Sequence, residues 1–287
     1  MKKKDNGWRF VIPVIIALGG VALFPFVFSV YISLINSTAY STYTAKFVGI
    51  NNYIALFKDA NFWNSFRVTL VYVIGAVSLE MLFGTLLALL IDSLPKWGRV
   101  FMIILAFPIM IAPLVYGITF KLMYNSIYGF IPQFLRIFNI NISLLSTSRS
   151  ALMSMIVVDV FQWTSFVFLI IYSALQSVPK EPLEAAKIDG AGYWKSVWYV
   201  LLPILRPIFV ITLIFRVMDT FKIFDQVFVI TDGGPGTATT TLSLYTYFLM
   251  FNRYNFGQAA ALTVTILVII IVITKLLLKY FYREVEL

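Results

Sequence analysis

The chain of 287 residues contains no cysteine and no histidine. Disulfide staples, thiolate zinc sites, histidine metal sites and histidine-dependent catalytic triads are therefore excluded. No Gly-Lys pair occurs, so the chain also lacks the phosphate-binding loop of a nucleotide hydrolase. Charge is scarce: 12% of the residues are charged, 13 acidic against 22 basic. Apolar residues fill the space, at 60% of the chain and a mean hydropathy of +0.89. No soluble domain of this size is so apolar, so the bilayer is the solvent for most of it. The net charge of +9 reads as topology and contact with anionic lipid rather than nucleic-acid binding, because the basic residues gather beside apolar runs.

Six runs are long enough to cross a hydrocarbon core, which takes about 20 apolar residues in a helix. They lie at 10–35, 68–91, 100–124, 151–175, 204–230 and 258–282. The runs are continuously apolar rather than alternating, which favours helices over a barrel. The expectation is an all-α membrane protein of six transmembrane helices, folded as one domain over 1–287. Met1-Lys2-Lys3-Lys4 looks like the basic start of a signal peptide. No charge follows from Phe10 to Ala45, and no small-residue cleavage site, so the first run reads as a retained span.

Lysine and arginine choose the side. With both termini in the cytoplasm, the inner face holds thirteen basic residues, among them Lys2, Lys3, Lys4, Lys96, Lys180, Lys187, Lys195, Arg206, Lys275, Lys279 and Arg283. The outer face then holds six: Lys46, Lys58, Arg67, Arg136, Arg149 and Arg253. The positive-inside rule favours this orientation. It places the loop at about 176–203 in the cytoplasm.

That loop is the one place where charge, helix formers and helix breakers cluster. Pro179 and Pro182 suit a helix start, where a missing N–H costs little. Glu181 and Glu184 sit near its positive end. Ala185, Ala186 and Lys187 propagate the helix, Asp189 follows, and Gly190 suits a left-handed C-terminal cap. Trp194, Val197, Trp198 and Leu201 then recur at helical spacing as one apolar stripe. Pro203 and Pro207 turn the chain into the fifth span. Small residues at 185, 186 and 190 allow a partner's backbone to approach closely. An interfacial helix lying in the headgroups is the alternative for the second half of the loop.

Glu184-Ala185-Ala186, Gly190 and the closing Val200-Leu201-Leu202-Pro203 resemble the EAA loop of importer-type ABC permeases. The stretch from Asp159 through Gly192 is similar to carbohydrate-uptake permeases of the maltose and glycerol-phosphate type. So is the stretch from Thr231 through Ala261, with Gly233-Gly234-Pro235-Gly236, Tyr245, Tyr247, Phe251, Phe256, Gly257 and Ala259-Ala260-Ala261. The resemblance implies a type I importer permease fold with a cytoplasmic coupling helix between spans four and five. Glu184, Ala185, Ala186, Asp189, Gly190 and Pro203 would couple it to an ATPase. It implies a half-path in the inner membrane of a prokaryote. The implied partners are a second homologous permease, two copies of an ABC ATPase and an extracytoplasmic solute-binding protein. This chain would bind no cofactor, ATP and magnesium being used by the partner subunits.

Charges at membrane depth are costly and normally face protein or a water-filled path. Arg216, Asp219, Lys222 and Asp225 repeat every three residues with alternating sign, and Phe221 and Phe224 are interleaved. Two readings stand. The charges pair along the helix and neutralise one another, or they form a polar wall of the path, with rings that stack on sugar faces. Asp159 and Gln162 in the fourth span are further candidates for that wall, and Glu80 reads as a packed carboxyl. An ABC permease for a non-sugar solute and an ion-coupled secondary transporter remain the alternatives in function.

Overall fold

The computed structural model describes residues 8–38, 45–94 and 98–282. Lys2, Lys3, Lys4, Lys96 and Arg283, counted above for the inner face, lie outside the described residues. Among the described residues no sheet forms, and the only bridges are Ile35 with Phe47 and Thr38 with Asn255. The chain divides into two compact units, Met1–Phe62 with Tyr245–Val268, and Trp63–Leu244 with Ile269–Leu287.

The first unit contains helix α1 (Trp8–Ser33) and the short α2 (Asn51–Lys58). The apolar side chains described along α1 are mostly exposed, as befits a helix whose solvent is lipid. Buried Asn52 secures the end of α1, donating to the carbonyls of Ser33 at 2.8 Å and Ile35 at 2.9 Å. The Ser33 carbonyl is one that a helix terminus leaves without an intrahelical partner.

The second unit carries most of α3 (Ala60–Asp92). It also holds α4 (Gly98–Ala106), α5 (Pro113–Met123), α6 (Phe130–Ile137) and α7 (Ser148–Leu175). A capping box of Thr147 with Ser150 starts α7. α3 and α7 meet at Gly84, where a Cβ would stand 2.6 Å from Val167 and 3.0 Å from the backbone nitrogen of Phe168. Only a residue without a side chain permits that approach. Below the contact Ala88, Ile91, Phe168 and Ile171 form a core with Val197, Leu201 and Leu205.

Two expected spans differ from the sequence reading. The run at 100–124 is not one straight helix: α4 and α5 meet at 91° across a short 3-10 turn. Pro108 and Pro113 remove two amide donors and clash with a continued helix. The break leaves Ile111 O open, and Gln162 on α7 donates to it at 2.9 Å, the kind of repair an irregular backbone at membrane depth requires. The run at 204–230 also breaks. Helix α10 (Leu202–Thr220) stops before Lys222, and Asp225 opens a separate helix, α11 (Asp225–Ile230). Backward, α10 joins α9 (Tyr193–Ser196) through a π turn at Val197–Leu201, so the apolar run is Tyr193–Thr220, 28 residues long. The π turn accommodates Pro203, which has no N–H and whose ring crowds the carbonyl four residues back.

Beyond α11, the chain passes through α12 (Leu242–Tyr247) to α13 (Phe256–Tyr282). Among the described residues, five helices are long and apolar enough to span a membrane, and the α4–α5 pair makes a sixth if counted as one bent span.

Candidate functional site

Two places stand out in the second unit. The first is α8 (Glu181–Ile188), with Pro182 in its first turn and Glu181 and Glu184 at its positive end. Its C-terminus is a complete Schellman cap. Gly190 has φ +76°, its N–H donates to Lys187 O at 3.1 Å, and Ala191 N–H donates to Ala186 O at 2.9 Å. The left-handed residue turns both amides back onto the last open carbonyls. No residue of α8 is buried. Leu183 leans on the α3–α7 core and Ala186 is half-buried. Glu184, Ala185 and Asp189 are exposed, and Ile188 is 87% exposed. The expected stripe after the bend is split: Val197 and Leu201 are buried, while Trp194 and Trp198 are exposed. The π turn widens the helix at this point, so the four residues do not share one face. Pro203 stands in the first turn of α10.

The second place is a concavity of about 290 Å³ where α7, α10 and the start of α11 come together. It unites Asp159, Arg216, Asp219, Lys222 and Asp225, drawn from three helices and one turn. Arg216 organises it. Only 1% exposed, it donates through Nε to Glu80 Oε2 at 2.6 Å and through Nη2 to Glu80 Oε1 at 2.9 Å. Nη2 also reaches Asp159 Oδ2 at 3.3 Å, and Nη1 reaches Asp219 Oδ2 at 3.2 Å. The Trp163 ring covers its flat face at 4.5 Å. A bidentate carboxylate is the strongest partner a guanidinium has, and at this depth the pair is hardly screened. Glu80 is fully buried, the packed carboxyl expected from the sequence. Asp219 is half exposed, and Lys222 Nζ stands 4.0 Å from its Oδ1.

The ion-pair reading accounts for part of this geometry. Arg216 and Asp219 pair along the helix, as the ion-pair reading has it. The dominant partner, Glu80, comes from α3, 136 residues away. Phe221 is a correction: it is 1% exposed, turned into the core where α10 ends, and does not line the concavity. Phe224 and Trp163 are the rings that do. Trp163 follows Asp159 by four residues, so helical spacing alone puts both on one face of α7. Gln162 accepts from Gln226 of α11 and holds the α4–α5 break. Among the described residues no cluster of acidic side chains could hold a metal ion.

In the first unit, Asp59 accepts from the Tyr245 hydroxyl, from Asn61 N at 2.8 Å and from Asn61 Nδ2 at 2.9 Å. Arg253 Nη1 lies 3.8 Å away. Partial burial alone would raise this carboxyl, but the hydrogen bonds from Tyr245 and Asn61 and the nearby Arg253 outweigh it and hold it below its ordinary value. Tyr245 is pushed up, first by burial and then by Asp59.

A family described as binding-protein-dependent transport system inner membrane component matches residues 80–286. The trehalose/maltose transport system permease protein MalF of Thermococcus litoralis is 32% identical over 252 residues, 88% of this chain and 84% of that protein. The sn-glycerol-3-phosphate transport system permease protein UgpA of Yersinia enterocolitica is 30% identical over 246 residues, 84% of this chain and 82% of that one. Among solved structures, a bacterial ABC transporter involved in the import of the acidic polysaccharide alginate aligns with a TM-score of 0.82. It covers 96% of this chain and 94% of that one, at 19% identity. At that identity the likeness is one of fold.

Proposed function

The chain belongs to the family of binding-protein-dependent transport system inner membrane components, and from that premise we propose that it is a permease subunit of an ATP-driven sugar importer. It forms half of the translocation path for a sugar or related carbohydrate. It is not an enzyme; ATP hydrolysis belongs to a separate subunit, and ATP and magnesium act there. The partners in this reading are a second, homologous permease, two ATPase copies and a solute-binding protein. The excess of basic residues on one side supports a multi-pass subunit with both termini in the cytoplasm.

The observation that carries the reading is α8. It is a capped helix with no buried residue, tethered through Leu183 and presenting Glu184, Ala185 and Ile188 outward. Such an element is shaped to enter a cleft on another protein. A bend at Gly190 joins it to the run Tyr193–Thr220, which at 28 residues is about 40 Å long. That run ends at Arg216 and Asp219. Closure of an ATPase dimer around α8 would tilt this rod and so reshape the polar concavity at its far end. The family membership and the relatives named for sugars support this reading over a non-sugar permease and over an ion-coupled transporter.

The test is purification of the tagged chain from its native membrane. The expected result is a complex containing an ATPase and a second permease, with ATP hydrolysis stimulated by the solute-loaded binding protein. Glu184→Lys should insert normally and lose the ATPase. A wild-type chain that purifies without any ATPase would refute the reading.

A further inference from the structure

Relatives of this chain are named for neutral and for anionic solutes alike, so family membership leaves the charge of the solute open. The charge balance of the concavity decides it. The exposed charges of its wall are two carboxylates, Asp219 and Asp225, against one cation, Lys222; Arg216 and Asp159 are buried, and the Arg216 charge is met by Glu80. The Arg216 fork, which could recognise an acidic sugar bidentately, is already engaged. Four of its five N–H donors go to Glu80, Asp159 and Asp219, and Trp163 occupies its face. Lys222 is shared with Asp219. An acidic sugar brings another carboxylate to a wall that already has an excess, where low dielectric strengthens like-charge repulsion.

We infer that this concavity excludes anions, so that the solute passing this chain is a neutral or cationic sugar rather than an acidic one. The inference rests on the concavity being part of the path, and the experiment separates the two. The chain has no native cysteine, so Ile223→Cys on the concavity wall is a unique thiol. In the assembled transporter in nanodiscs, its modification is timed with a trimethylammonium methanethiosulfonate and with a sulfonate one. Each rate is divided by the rate with a free thiol. The cationic reagent should exceed the anionic one by about tenfold, corresponding to about 1.4 kcal/mol. Adding Asp219→Asn and Asp225→Asn should bring the ratio towards one. Equal rates, or a faster anion, would overturn the inference and leave the path reading intact. No modification by either reagent would take the concavity out of the water-filled path and overturn both.

Discussion

Arg216 shows what one residue can require of a membrane protein. A guanidinium at this depth persists because three carboxylates from three helices surround it. Removing it leaves Glu80 and Asp159 buried and facing each other without a cation. Arg216→Met should therefore destabilise the chain by about 3–5 kcal/mol, the usual cost of breaking a buried ion pair. Adding Glu80→Leu removes one uncompensated carboxylate and should recover part of the loss. Thermal aggregation in detergent measures both variants; a double variant that melts lower than Arg216→Met would contradict the ion-pair account. Asp59 gives a second residue-scale expectation. Its carboxyl is held below the ordinary range by Tyr245, Asn61 and Arg253 against the effect of burial. The stability it contributes is present above the unfolded carboxyl value, about 4, and is lost as pH falls through the lower folded value. Protease resistance of residues 45–62 should stay level from about pH 8 to 5 and decline below about 4. Asp59→Asn should show weaker resistance at neutral pH and little dependence on acid. An identical acid profile in that variant would remove Asp59 as the cause.

At the scale of the element, α8 is defined by its ends. Pro182 and two glutamates start it, and the left-handed Gly190 stops it. A Cβ at Gly190 would meet nothing within 4 Å, so the penalty there is conformational rather than steric. Gly190→Ala should cost about 1 kcal/mol through the left-handed backbone. Gly192 has φ −68° and equally open surroundings, so Gly192→Ala should be near neutral. Amide exchange across residues 181–196 in the intact transporter should quicken in the first variant and not in the second. Equal exchange in both would show that the cap does not hold the element.

For the whole molecule, the side on which α8 lies decides whether it can meet an ATPase. Ile188 in α8 and Ile127 before α6 are 87% and 82% exposed, which makes them accessible positions for single cysteines. Ile188→Cys should react with an impermeant maleimide only from the cytoplasmic side, and Ile127→Cys only from the outside. The basis is the thirteen-to-six bias of basic residues. Reversed labelling would invert the topology and remove α8 from the ATPase side.

The sequence by itself determined the solvent of this protein, the helical class, the apolar runs and the capped helix α8. These follow from local composition and spacing: apolar length for spans, proline and glycine for helix ends. It also marked Asp159, Arg216, Asp219, Lys222 and Asp225, because charge in an apolar run is conspicuous wherever the chain goes. Only the tertiary structure decided what those charges do. Glu80 could not be matched to Arg216 from a distance of 136 positions, since pairing across helices depends on how α3, α7 and α10 pack. Phe221 and Phe224 were indistinguishable as rings in a run; the end of α10 at Thr220 buries the first and puts the second on the concavity wall. The bend between α4 and α5 was latent in Pro108 and Pro113, but a proline at membrane depth kinks or breaks a helix according to whether a neighbour satisfies the freed carbonyl. Here Gln162 does so from α7, and no local rule of sequence supplies that donor.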